Sequence, residues 1–336
     1  MKNNYPLQTG ISYFGNRNPR HLPVDLAEIK SHNCTFVLHT YSENDQEYYK
    51  ETIREMVALT KEAGLEVYLD PWGVGRVFGG ETYSAFALRN LHTLQVLPDN
   101  TKAPAVCFNH PEFRKFMRIW IQDAAEIGAD VLFWDEPHFF INLKEKQRFP
   151  VWYCKCQTCC AKFSEEFHAD LKSAKPDEII KFREACIVEF LTELCDLTRQ
   201  SGMRNAVCML PFKDAGIGVA DWSKIVAIPT LDIFGTDPYW MFFDKPLKSF
   251  VSEFSRDVVK LCTKYRKEPQ IWIQAYKIYA GRENELQQAI GVAHDLGVNN
   301  FAAWSYYGNE YMSYNRSDDP RKVWDVIGSA YGDLVK

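Results

Sequence analysis

Residues 129–140 read Ala-Asp-Val-Leu-Phe-Trp-Asp-Glu-Pro-His-Phe-Phe. The apolar run Val131–Trp134 ends abruptly in two adjacent carboxylates, Asp135 and Glu136. Pro137 cannot donate to a sheet ladder, so a strand stops there. A buried strand that delivers acids at its C-terminal end is how a parallel α/β barrel builds an active site. The plain alternative is an acidic loop capping the next helix. A solvated loop is polar, whereas Trp134, Pro137, His138, Phe139 and Phe140 crowd these acids.

Outward from this stretch, strand-like and helix-like segments alternate along the chain. Strands are expected at Gly10–Gly15, Thr35–Tyr41, Leu65–Trp72, the opening run, Arg204–Pro211, Leu231–Tyr239, Pro269–Tyr276 and Asn299–Tyr307. Helices are expected at Leu22–Asn33, Asp45–Gly64, Pro111–Gly128, Asp177–Gly202, Trp222–Ala227, Pro246–Lys267, Glu283–Gly297 and Pro320–Leu334. In Asp45–Gly64, Ile53, Met56, Val57 and Thr60 share a face, and a terminal glycine suits a helix end. Several strands are near-continuous apolar runs, as parallel strands buried on both faces should be. The pattern predicts one α/β domain over 1–336, a single (β/α)8 TIM barrel. Long loops follow strands three and four: an insertion at 73–110 and a Cys-rich one at 141–176. A doubly wound open sheet would carry a glycine-rich phosphate turn after strand one, and GNRNPRH is not one.

The chain's 336 residues suit one such barrel. Hydrophobic residues are 46% and aromatics 14%, enough for a large core and an aromatic-walled sugar site. The net charge is −5 with both signs interspersed, so no basic footprint for nucleic acid stands out. No apolar stretch approaches the roughly 20 residues that span a bilayer, and no signal peptide is evident. These readings imply a cytoplasmic protein without nucleic-acid or membrane partners. Whether it forms a homo-oligomer is left open.

Four of the ten cysteines lie in WYCKCQTCC: Cys154, Cys156, Cys159 and Cys160. Cys-x-Cys-x-x-Cys is too tight for independent disulfides but suits thiolates converging on one structural Zn²⁺. The fourth ligand is either Cys160 or Cys107, which precedes helix three. Cys107 is preferred, because adjacent cysteines rarely both ligate one tetrahedral ion. Unmetallated thiols are the alternative. Cys34, Cys186, Cys195, Cys208 and Cys262 sit in apolar contexts and read as core.

With acids and cysteines in view, the chain resembles clan-A glycoside hydrolases, and among them family 42 β-galactosidases. That family's strand-four glutamate follows Trp-Asn, matched by Trp134, Asp135 and Glu136. Its zinc site combines a cysteine before helix three with Cys-x-Cys-x-x-Cys after strand four, the order of Cys107, Cys154, Cys156 and Cys159. Asp237-Pro238-Tyr239 matches its strand-six Asp-x-Tyr, and Trp304 its strand-eight Trp. The resemblance implies glycosidase activity with Glu136 as acid. There are two departures. Asp135 replaces the asparagine, and the strand-seven nucleophile is Gln274, whose amide cannot form a glycosyl ester.

The remaining assignments follow. Asp135 orients a substrate group or Glu136, or else only caps a loop. Asp237 is either the second catalytic carboxylate or structural. His39, Trp72, Arg76, Tyr239, Gln274 and Trp304 are expected substrate contacts, whereas Arg17 and Arg20 read as a charged loop. Strands four and six are one strand apart, so Glu136 and Asp237 are expected at a water-admitting separation. That is roughly 6.5–9.5 Å, against about 5–5.5 Å for direct attack. The mechanism would then be inverting, or assisted by a substrate group. Other readings are a non-catalytic sugar-binding barrel and, more remotely, a lyase or isomerase.

Overall fold

The structure, a computed structural model, describes residues 5–140, 154–214 and 218–335. Residues 141–153 of the expected 141–176 insertion therefore lie outside the described residues. The described strands are β1 (Gln8–Tyr13), β2 (Phe36–Thr40), β3 (Glu66–Asp70), β4 (Leu94–Val96), β5 (Lys102–Val106), β6 (Val131–Asp135), β7 (Arg204–Met209), β8 (Ile233–Thr236), β9 (Glu268–Gln274) and β10 (Asn300–Trp304). The helices are α1 (Leu22–Ser31), α2 (Glu43–Tyr48), α3 (Lys50–Glu62), α4 (Ala85–Arg89), α5 (Pro111–Ile127), α6 (Gln157–Phe167), α7 (Pro176–Gln200), α8 (Ser223–Val226), α9 (Leu247–Tyr265), α10 (Glu285–Asp295) and α11 (Pro320–Val335).

Eight of the strands close into a parallel barrel in the order β1-β10-β9-β8-β7-β6-β3-β2. Closure runs through β1 and β10, from Gln8 opposite Asn300 to Ile11 opposite Ala303. The fold is thus the expected (β/α)8 barrel, not an open sheet.

The pleat sorts each strand into two faces. Phe36, Leu38, Tyr68, Phe133, Cys208 and Trp272 form a cluster inside the barrel. Val37, Leu69, Leu132, Trp134, Val207 and Ile273 belong instead to the core between strands and helices. Helix α5 shows how the helix layer is built. Phe113, Met117, Trp120, Ile121 and Ala124 recur at helical spacing and are buried. Gly128, with φ 97°, ends the helix and turns the chain into β6.

The barrel floor is polar. Gln270 donates to Asn300 at 2.8 Å, and Asn300 to Glu268 at 2.7 Å. Arg204 pairs with Glu66 at 2.6 Å. The opposite, C-terminal end is where the acids arrive.

Two elements differ from the sequence reading. The expected helix Asp45–Gly64 is two helices, because Ser42 starts α2 early through a capping box with Asp45. Asp45 also ion-pairs with Arg17. The 73–110 stretch holds an unforeseen antiparallel hairpin, β4–β5. Its strands are short and contain Pro104, which argues against a strand on sequence grounds.

Candidate active site

On β6, Trp134 packs outward and its indole N–H donates to Asn205 at 3.0 Å. Asp135, next along the pleat, turns to the lumen mouth. Glu136 follows with φ 41°, a backbone conformation uncommon outside glycine. Its N–H donates to the Cys208 carbonyl at 2.9 Å, holding it against β7. The loop after β3 clasps the same turn. Gly79 N–H donates to the Asp135 carbonyl at 3.0 Å, and His138 N–H to the Val77 carbonyl at 3.0 Å. A Cβ at position 79 would lie 2.1 Å from Asp135 Oδ2 and 3.1 Å from Glu136 Oε2, so any side chain there would have to displace these carboxyls.

Above the lumen lies a cavity of about 280 Å³. Asp135, Glu136 and Asp237 line it on one side. Its walls are aromatic. Trp272 stands 4.8 Å from Phe133 and 5.9 Å from Trp304, centroid to centroid. Tyr239 and Tyr276 meet edge to face at 5.4 Å. Trp72 also lines the space.

The electrostatics are those of crowded, dry acids. Burial raises Asp237 well above the usual carboxylate range, and the nearby Glu136 raises it further. The two carboxyls share a hydrogen bond. They therefore hold one proton between them, and that proton belongs to the pair. Burial also raises Asp135, with added repulsion from Glu136 and Asp70. The water-wide gap expected between Glu136 and Asp237 is thus corrected. The side chains reach across β7 to each other.

Of the expected contacts, Trp72, Tyr239 and Trp304 line the cavity with the three acids. Three others do not. His39 is 1% exposed and faces the helix layer, where Nε2 meets Thr60 Oγ1 at 2.9 Å. Strand alternation puts it on the outer face with Val37. Arg76 is spent on its own loop, donating to the carbonyls of Gly80 at 2.9 Å and Thr82 at 2.8 Å. Gln274 is fully buried, and its Oε1 accepts from the N–H groups of Met241 at 3.0 Å and Phe242 at 3.2 Å. Its Nε2 donates to the Tyr276 carbonyl at 2.9 Å. The amide anchors the loop after β8 and is not offered to a sugar.

The sequence reading missed Asp70, Glu81, Asn309 and Asn315. Glu81 accepts from Asn315 Nδ2 at 2.7 Å, joining the loops after β3 and β10 beside the cavity. Asp70 ends β3 on the lumen face and is 0% exposed. It is an acid at the end of an apolar strand, the same signal that marked Asp135.

Away from the acids, Cys107, Cys154, Cys156 and Cys159 are buried with their sulfurs all within 4.8 Å of one another. Cys107 lies 3.4 Å from Cys159 and 3.6 Å from Cys156. A tetrahedral Zn–S bond of about 2.3 Å implies sulfurs about 3.8 Å apart, so a tetrahedral ion fits. N–H groups of Val96 and Asn109 point at Cys154 and Cys159, at 3.4 and 3.3 Å, as suits thiolates. Hydrogen bonding from Cys107, then Cys154 and Cys159, draws the Cys156 thiol far below its ordinary range. Cys160 turns away, to the Lys155 carbonyl. The set could hold a metal.

The chain is thus of the parallel (β/α)8 barrel class, with acids gathered at its C-terminal mouth. No family model and no curated protein matches the sequence. Solved structures do. The endo-1,4-beta-mannanase from Rhizomucor miehei superposes with a TM-score of 0.66 at 10% identity, over 99% of this chain and 97% of that one. The endo-beta-1,4-mannanase from Thermotoga petrophila gives 0.62 at 10% identity, over 97% and 76%. GH5_18 from Streptomyces cattleya, in complex with GlcNAc, gives 0.58 at 9% identity, over 98% and 81%. All three are glycoside hydrolases, and at these identities the likeness is one of fold.

Two predictions arise from this geometry. Gln274→Ala would orphan two N–H groups and a carbonyl, and should cost at least about 2 kcal/mol in denaturant unfolding. A loss below roughly 0.5 kcal/mol would show the amide is not an anchor. The second concerns Asp70, raised by burial first and by Glu136 second. Below the ordinary carboxylate pKa, near 4, both folded and unfolded chains hold its proton. Above it the unfolded chain ionises freely while the folded chain resists, so stability is lost as pH rises. Asp70→Asn should therefore raise the melting temperature at about pH 8 and change it little at about pH 4. A lower melting temperature at the higher pH would show that ionised Asp70 has a stabilising partner.

Proposed function

We propose that the chain is a glycoside hydrolase acting on a small oligosaccharide or glycoside. One observation carries this reading: Asp135, Glu136 and Asp237 converge in a single aromatic-walled cavity. Sugar rings stack on aromatic faces, and carboxyls bind their hydroxyls and move protons. The glycosidase neighbours of the barrel agree with it.

In this reading Glu136 gives the proton to the leaving-group oxygen. Burial keeps the proton of the Glu136–Asp237 pair in place above the pH where an exposed carboxyl would lose it, while their hydrogen bond raises Asp237 and lowers Glu136. Asp135 holds a substrate group beside the reacting carbon. Trp72, Tyr239 and Trp304 wall the sugar. Gln274 is neutral and engaged, so no glycosyl ester forms there. Water displaces the leaving group and gives its proton to Asp237, or a substrate group oriented by Asp135 attacks first and water then opens that intermediate. The likeness to family 42 β-galactosidases, carried most specifically by the cysteine spacing, is part of the proposal.

Cys107, Cys154, Cys156 and Cys159 would hold one Zn²⁺. Four protein thiolates leave no open position, so the ion would be structural. The barrel is one unit, with the segments at 73–110 and 141–176 carrying the acid clasp and the thiols.

Glu136→Gln should lower hydrolysis of the best aryl glycoside by about 10²–10⁴-fold, the usual worth of a positioned acid. No glycosyl adduct should accumulate on the chain by mass spectrometry. Full activity in the variant, or a trapped adduct, would overturn the assignment. Sugar binding with no turnover of any glycoside would instead favour the non-catalytic barrel. For the metal, elemental analysis of freshly reduced protein should find about one zinc per chain. Chelation should lower the melting temperature. Zinc-free protein of unchanged stability would rule the site out.

A further inference from the structure

The acids outnumber what hydrolysis needs. Asp70 is completely buried on the lumen face, and neither of its oxygens has a hydrogen-bond partner. It lies close enough to Glu136 and Asp135 to repel both. Among the described residues no lysine, arginine or histidine lines the cavity. The nearby cations are engaged elsewhere. Arg76 is bound to the Gly80 and Thr82 carbonyls. Lys277 stands over the Phe242 and Tyr314 rings at the rim, 5.5 and 5.6 Å from their centroids. Burial lowers His138 to about 4, so it is neutral near pH 7.

A neutral hydroxyl offers no charge to offset any of these acids that ionises. A divalent cation needs convergent oxygens. Among the described residues, no three of these carboxylates bring their oxygens within 4.8 Å of one another. An organic ammonium needs less. One or two carboxylates bind it directly, the remainder act through a low-dielectric space, and aromatic faces favour it further.

We propose that the ligand of this cavity carries a free ammonium group, as a 2-amino-2-deoxy sugar does. The group sits beside Asp135, with Trp272 and Trp304 as walls, while Asp70 lies behind the lining and acts on it through a low-dielectric space. This rests on the reading of the cavity as the sugar site. It names the substrate class as amino sugars that are not acetylated. Binding holds Asp70 and Asp135 ionised, so protons held by the empty site leave it, while the Glu136–Asp237 proton stays for the leaving group.

Isothermal titration near pH 7 tests this with glucosamine, galactosamine and mannosamine, each against its parent hexose and its N-acetyl derivative. At least one amine should bind about tenfold or more tighter than both counterparts, the margin of a charge-assisted over a neutral hydrogen bond. Its binding heat should vary between buffers of different ionisation heat in the sense of proton release. Asp70→Asn should remove most of the preference for the amine over its parent hexose. Its melting curve, run on the same sample, verifies folding, and the wild-type comparison stands without the variant. The proposal fails if no amine binds, if the neutral sugars bind as well as the amines, or if the variant keeps the full preference. It also fails if Mg²⁺ or Ca²⁺ binds in competition with the amine. Hydrolysis of neutral aryl glycosides without ammonium preference would sink this inference alone. Ammonium-selective binding with no turnover would sink the glycosidase reading alone.

Discussion

Excluding water from several carboxylates at once is the constraint around which this barrel is arranged. Each buried acid resists ionising, and each ionised neighbour raises the resistance of the next. The structure meets this in several ways. Glu136 and Asp237 share a proton. The backbone at 136 is pinned to β7. The clasp through Gly79 brings the β3 loop against the acids, where any side chain would have to displace them. Gln274 secures the loop after β8 from behind. A loosely held mouth would let water in and return these groups to ordinary acidity.

The fold was legible because a parallel barrel writes itself as apolar runs ending in polar residues. Even so, β1 begins two residues earlier than its apolar pattern suggests, at Gln8. The β4–β5 hairpin left no usable signal, since its stability comes from contacts distant in sequence. Lys155 N–H, for example, donates to the Val96 carbonyl at 2.8 Å.

The site was legible in its acids and less so in its other members. His39 and Asp70 both stand near strand ends, and chemistry alone favours the histidine. Side-chain direction decides between them, because His39 shares a face with Val37 while Asp70 shares one with Tyr68. Counting the pleat inward from the apolar run would have exchanged them. Gln274 illustrates a different limit. Its position marks it as functional, but its two backbone partners come from a loop whose path no local pattern predicts. The cysteines were the clearest case, because ligand spacing survives in the sequence even when the intervening segments do not reveal their shape.

The left-handed backbone at Glu136 bears on how this chain tolerates change. Glycine would adopt that conformation more easily, and amides would sit more comfortably than acids at 70, 135 and 237. Selection for robustness alone would therefore erode these positions first. A lineage that kept them would be under pressure from something other than folding, whereas one released from it would drift toward a sturdier, chemically silent barrel.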